Sequence, residues 1–285
     1  MANYVFSIAT LFSGHESQMM AAEMAINGNN LPIETKLVLW SDIDPKVRAI
    51  HNLVYPEYKN CCNPDVTKID WETVSDVDLL IYSSPCQSVS RSGKRKGIKK
   101  GSGTESALLW SVEKAIATKR PKCCIMENVA GMLDPDFQPD FIKWTRTLSS
   151  YGYVSYYKVL SSAKYGIPQN RERLFLVSFR IDDQSNIPSF NWPKPVALTL
   201  KPEDLLDDSV DDKYIIWTNS RLPHSLNSCR MLQRDMKLRS FTQPVFRPSI
   251  CHLSLIAKCL QQSRLFAGMG LFLPLWPVIV KAVVL

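Results

Sequence analysis

One cysteine of this sequence stands where a nucleophile would be useful. In Ser83-Ser84-Pro85-Cys86-Gln87 it follows an apolar run, Val77 to Tyr82, that reads as a buried strand, and it opens a polar loop. The other seven cysteines sit in apolar or pairwise settings, such as Cys61-Cys62 and Cys123-Cys124, and read as small core residues of a reducing compartment. Nearby positive charge would favour a thiolate at Cys86. The stretch Arg91 to Lys100 supplies six basic residues, with Gly93, Gly97 and Gly101 as hinges, which suits a phosphate clamp or a solvated surface loop. Glu127-Asn128-Val129 ends a later apolar run. A carboxylate held beside a cysteine nucleophile can hydrogen-bond or protonate a heterocycle while sulfur attacks, or it can be a surface Glu. Within Gln169-Asn170-Arg171-Glu172-Arg173, Arg171 and Arg173 can orient a carboxylate, contact a substrate or form surface ion pairs.

The elements that must position these residues alternate between β-rich runs and helical patterns, which predicts an α/β fold with a doubly wound, mostly parallel sheet. Strands are expected at Val5–Phe12, Leu37–Ser41, Val77–Tyr82, Lys122–Met126, Val154–Leu160 and Arg173–Phe179. Helices are expected at Met19–Ile26, Pro45–Leu53, Ala107–Thr118 and Phe141–Leu148. In such sheets ligands bind beyond the carboxyl ends of the strands. The first of those ends carries Phe12-Ser13-Gly14, and the second carries Asp42 and Asp44. Asp42 is placed to accept hydrogen bonds from a ribose diol, whereas Asp44 before Pro45 reads as a helix cap. Asp65 could meet an adenine amino group or cap a turn.

With 285 residues, 45% of them hydrophobic, the chain can bury a full core. No signal-peptide pattern opens it and no Cys/His spacing suits zinc, so no metal is expected. Its net charge is +7, yet from Lys213 onward ten Lys/Arg face one acid, Asp235, as a nucleic-acid-facing module would show. The alternation stops after Arg180. Prolines then become frequent, and Glu203 to Asp212 holds six acids in ten residues, which reads as a solvated linker. A boundary is therefore expected near 181–190. The apolar run Leu265 to Val280 is shorter than the ~20 residues of a spanning helix and is broken by Pro274 and Pro277, so no membrane partner is expected.

Taken in order, F-x-G, an acidic strand end, P-C-Q, E-N-V and Q-x-R-x-R resemble the motifs of the DNA cytosine-5 methyltransferase family, from the first strand to about Arg180. The S-S-P-C-Q and F-S-G-x-E-S-Q variants are similar to a branch common in bacteriophages and mobile elements. The resemblance implies a Rossmann-like S-adenosylmethionine-dependent fold acting on double-stranded DNA in the cytoplasm of a bacterial or phage-infected cell. It implies a monomer that protects DNA against a cognate restriction endonuclease, with residues 1–180 catalytic and donor-binding and 181–250 a linker and target-recognition region. Phe12 and Gly14 would border the donor, Asp42 would hold its ribose, and Ile43 and Asp65 would meet its adenine. Leu108 would lie near its methionine arm, and Pro85 would shape the loop presenting Cys86. Glu127 would contact ring nitrogen 3 of cytosine, Arg173 its carbonyl oxygen, and Arg171 would order the site.

Two departures from the family stand out. Glu16 and Ser17 replace glycines after F-x-G-x, and an acid facing the pocket would oppose the donor's carboxylate. The C-terminal Leu-Thr-Pro-Arg-Glu-Cys and Gly-Asn-Ser segments are also missing. Met236 to Leu285 contains no acid in 50 residues, so 251–285 reads as an atypical, degenerate or frameshifted tail, or as a diverged one that folds normally. The competing expectations are a non-catalytic relative that keeps the fold, and an enzyme acting on RNA.

Overall fold

The computed structural model describes residues 4–28, 33–89, 97–182 and 190–199. The basic residues Arg91 to Lys96, the acidic run Glu203 to Asp212, most of 181–250 and the tail 251–285 lie outside the described residues.

Ten elements follow the sequence pattern: β1 (Tyr4–Leu11), α1 (Ser17–Gly28), β2 (Ile33–Ser41), α2 (Pro45–Val54), β3 (Leu79–Tyr82), α3 (Val112–Lys119), β4 (Cys123–Val129), α4 (Gln138–Ser150), β5 (Tyr153–Ser161) and β6 (Glu172–Arg180). The strands form one sheet in the order β2-β1-β3-β4-β6-β5. β1 pairs in parallel with β2 and β3, and β3 in parallel with β4, because each of these links passes through a helix long enough for a crossover. β6 is antiparallel to both β4 and β5. Only residues 162–171, with one short 3-10 turn, join β5 to β6, so the chain folds straight back instead of crossing over.

Side chains alternate across the strands and build a core on each face. One core gathers Leu11, Leu80, Tyr82, Met126, Leu176 and Trp144. The other gathers Phe6, Ile8, Met19, Trp40, Ile125 and Phe175. Residues 190–199 still pack on the second of these. Phe190 lies against Phe179 and Tyr156, and the Tyr165 hydroxyl donates to the Pro193 carbonyl at 3.1 Å.

Two expectations change in detail. Ala107–Thr118 is not one helix: a 3-10 turn spans Glu105–Ser111 before α3 begins. The tighter winding lets the Ser106 hydroxyl accept from Ser88 N and the Trp110 indole donate to Ile98 O. Of the paired cysteines, Cys123 and Cys124 are core residues as expected, but Cys61 and Cys62 are half-buried, at the point where Cys62 bridges the end of β2 at Trp40.

The amino ends of the strands are fastened by Asp78. Its carboxylate accepts from Ser7 N at 3.0 Å, Ser7 Oγ at 2.9 Å and Tyr4 Oη at 2.8 Å, and pairs with Lys122 Nζ at 3.1 Å. Burial opposes charge on Asp78, but these donors outweigh it and hold the carboxyl below its ordinary range. A depressed folded pKa contributes stability that is present above the unfolded value, about 3.9, and is lost as pH falls through the folded one. Asp78→Asn is therefore expected to cost roughly 1–3 kcal/mol at neutral pH in urea unfolding, with a smaller acid-induced loss below about pH 4. An unchanged acid slope would remove Asp78 from this role.

Candidate active site

The carboxyl ends of β1, β2, β3 and β4 open at one edge of the sheet, and the residues singled out by type gather there. After β1 the backbone enters the left-handed region three times, at Phe12 (φ 58°), Gly14 (φ 59°) and Glu16 (φ 56°). Only glycine adopts that region freely, so the turn is held by its contacts. Asp42, just past β2, accepts from Gly14 N at 2.9 Å through one oxygen and from Asp44 N at 2.9 Å through the other. Asp44 caps α2 by accepting from Lys46 N, and Pro45 occupies the first helical position. Ile43, between them, leaves 72% of its surface exposed.

Glu16 does not face the open edge. It is fully buried, accepts from Thr10 Oγ1 at 2.5 Å and lies 3.5 Å from His51 Nε2, whose ring stacks on Trp40 with centroids 3.5 Å apart. The predicted conflict with an anionic ligand is thereby removed, because the acid anchors the turn from beneath.

Beyond β3, Asn128 fixes the start of the cysteine loop by donating to Ser84 O at 3.0 Å and Ser84 Oγ at 3.2 Å. The Cys86 carbonyl accepts from Val89 N at 3.0 Å, and the Cys86 side chain is half-buried and free of any disulfide. Gly131, just past β4, supports the same loop. A Cβ there would stand 2.6 Å from Val89 O.

Glu127 sits near the end of β4, and Arg173 is diagonal to it at the start of β6, because Glu127 pairs with Phe175 and Val129 with Arg173. Arg173 Nε lies 3.0 Å from Glu127 Oε1, with Arg171 Nη2 3.9 Å from the same oxygen. Desolvation pushes the Glu127 carboxyl up despite both guanidinium groups, whose attraction lowers it, as does a hydrogen bond from Ser83. A carboxyl raised in this way keeps its proton to higher pH than an ordinary glutamate, as a proton donor requires.

Cys86, Glu127, Arg171 and Arg173 thus come together around the ends of β3, β4 and β6, and Phe12, Gly14, Asp42 and Ile43 around those of β1 and β2. Asp65 and Leu108 belong to two short 3-10 turns that pack against each other. Asp65 accepts from Thr67 N at 3.0 Å and Thr67 Oγ1 at 2.7 Å and pairs with Lys68, so it caps the turn Val66–Lys68. Leu108 is half-buried in the 3-10 turn packed beside that one. Sequence reasoning assigned no role to Gln18, Thr10, His51, Ser83 or Asn128. The signal that could have found three of them is that Gln18, Ser83 and Asn128 lie inside the F-S-G-x-E-S-Q, S-S-P-C-Q and E-N-V motifs.

The family described as C-5 cytosine-specific DNA methylase matches residues 6–245. The chain belongs to this family. It is 37% identical over 155 residues to the type II methyltransferase M2.ScrFI of Lactococcus lactis subsp. cremoris, covering 54% of this chain and 42% of that protein. Against the type II methyltransferase M.DsaV of Dactylococcopsis salina it is 32% identical over 194 residues, covering 67% and 53%. The chain thus spans about half the length of the curated relatives it matches. Its fold is that of the S. pombe Dnmt2 methyltransferase, with a TM-score of 0.53 at 22% identity over 81% of this chain and 68% of that one.

In this methylase chain the tight approach of Gly131 to Val89 gives a test of loop support. Gly131→Ala has to move the backbone of the loop that carries Cys86, at an expected cost of about 1–3 kcal/mol. Thiol labelling should show Cys86 reacting several-fold faster than in the parent, and an unchanged rate would separate that contact from the cysteine.

Proposed function

We propose that this chain transfers a methyl group from S-adenosylmethionine to carbon 5 of cytosine in double-stranded DNA, with Cys86 as nucleophile. The observation that carries the proposal is the raised, arginine-held carboxyl of Glu127 at the sheet edge that also bears the Cys86 loop.

The residues at the ends of β1 and β2 fit an adenosyl group. A Cβ on Gly14 would meet nothing within 4 Å, Asp42 presents a fixed carboxylate, and Ile43 offers an exposed apolar surface beside it. Asp42 would accept from the ribose hydroxyls, Ile43 would pack on the adenine, and Phe12, Pro85 and Leu108 would border the remainder. When bound, the donor supplies an activated methyl group on a sulfonium.

This chain's residues prepare the base. Cytosine stacked in a duplex cannot be reached, so it is flipped out, at a cost of roughly a few kcal/mol. The Cys86 sulfur bonds to carbon 6 while ring nitrogen 3 takes a proton from Glu127, leaving an enamine whose carbon 5 is nucleophilic. Arg173 holds Glu127 in place and reaches the base's carbonyl oxygen, with Arg171 ordering both. Once carbon 5 carries the methyl group, loss of its hydrogen as a proton restores the ring double bond and expels the Cys86 thiolate. The proton on nitrogen 3 returns to Glu127. Residues 1–180 supply this chemistry and 181–250 read the DNA sequence. Protection of DNA from a companion endonuclease is the biological role that fits.

Labelled methyl groups should pass from S-adenosylmethionine to unmethylated duplex DNA, and Cys86→Ser should abolish the transfer. Asp42→Ala should weaken donor binding by roughly 1–3 kcal/mol in calorimetry. Transfer that survives Cys86→Ser would remove the nucleophile assignment. Donor binding without transfer to DNA would mark a binding-only relative, and transfer to RNA alone would mark a different substrate.

A further inference from the structure

Arg48 and His51 stand one turn apart on the same side of α2, and each reaches a different turn at the carboxyl edge of the sheet. Arg48 Nη1 donates to the Asp42 carbonyl at 3.0 Å and to the Ile43 carbonyl at 2.6 Å, which holds the backbone just past β2. His51, only 1% exposed, sets Nε2 3.5 Å from Glu16 Oε1, in the turn past β1. From Glu16 the contacts run on through buried hydroxyls. Thr10 Oγ1 donates to Glu16 Oε1 at 2.5 Å and lies 2.9 Å from Ser13 Oγ, which accepts from Ser41 N at 3.2 Å. Ser13 N in turn donates to Ser41 O at 3.0 Å. Ser13 sits between Phe12 and Gly14, and Ser41 precedes Asp42, so the chain of contacts ends inside the two turns assigned above to the donor. At the rim the Gly14 N–H joins those turns by its 2.9 Å bond to Asp42.

We propose that Arg48 and the Glu16–His51 pair are positioning residues for the methyl donor, a bracket through which α2 holds both turns that border the adenosyl group. This rests on the donor site proposed above. Neither Arg48 nor His51 is assigned a contact with the donor itself. The need for a bracket follows from the backbone. Phe12 and Glu16 both hold left-handed φ, which side chains other than glycine's rarely adopt, so the first turn relaxes once its contacts go. Ile43 is largely exposed, so packing does little to fix the second turn and Arg48 fixes it by hydrogen bonds. Neither ring nitrogen of His51 nor Glu16 Oε2 has a hydrogen-bond partner among the described residues, so the imidazole and the acid steady each other. Glu16 thus replaces the freedom of a glycine with a side chain tied to a neighbouring helix.

The test combines calorimetry of S-adenosylmethionine binding with amide hydrogen exchange of the full chain in the absence of donor. Arg48→Met removes the guanidinium, and His51→Phe keeps a ring on Trp40 while removing both nitrogens. Each is expected to weaken donor binding by roughly five- to thirtyfold. Exchange at the Gly14 N–H should become several-fold faster, with that of Ile125 in the middle of β4 unchanged. Glu16→Gly, which frees the backbone but removes the brace, should weaken binding as His51→Phe does. The two substitutions combined should do no more than Glu16→Gly alone, whereas Arg48→Met and His51→Phe should add, because they act on separate turns. Donor affinity unchanged in Arg48→Met or in His51→Phe overturns that residue's part. Exchange that speeds equally at Gly14 and Ile125 overturns the bracket, since it marks a loss of overall stability. A parent chain that binds no S-adenosylmethionine contradicts the donor site and with it the purpose of the bracket, while donor binding by the parent with Gly14 exchange unmoved in the variants contradicts the bracket alone.

Discussion

The direction of a single strand decides what this site can be. β6 runs antiparallel between β4 and β5, so it starts at the edge where β4 ends. Had it run parallel, Arg173 would lie at the far end of the sheet, beside Asp78 and Lys122. Reversed, it sets a guanidinium 3.0 Å from Glu127, a largely buried carboxyl whose desolvation opposes its charge. The cost of burying that acid and the attraction of the arginine oppose each other. Burial prevails, which leaves the carboxyl raised and fit to hold a proton.

The two ends of the sheet divide the labour. At the amino ends, Asp78 is surrounded by donors and held in its charged form, which joins β1, β3 and the start of β4. At the carboxyl ends, the turn after β1 carries two non-glycine residues in the left-handed region, each costing of order 1–3 kcal/mol. The buried Glu16–Thr10–His51 contacts and the Asp42–Gly14 bond hold that strain in place. A stable base thus supports a strained, chemically furnished rim.

Much of this was legible from residue order. Every strand, the helix cap at Asp44 and the separate character of Cys86 follow from local pattern, because alternation, proline and cap chemistry act within a few residues. The direction of β6 also had a local sign, since the link 162–171 is too short and too polar for a crossover helix. The cap that Asp65 makes on Thr67 was readable as one of its two offered roles. The orientation of Glu16 was not legible, since it depends on His51 and Trp40 arriving from α2 and β2. The contact between Gln18 and Ser83 was not legible for the same reason, since it spans 65 residues of chain.

Covalent capture tests the central chemistry most directly. Duplex DNA carrying 5-fluorocytosine admits attack at carbon 6 and methylation at carbon 5, but its fluorine cannot leave as a proton does, so the enzyme stays attached. With S-adenosylmethionine present, a stable protein–DNA adduct is expected, with the modified peptide containing Cys86. An adduct on another cysteine, or one that persists in Cys86→Ser, would contradict the mechanism.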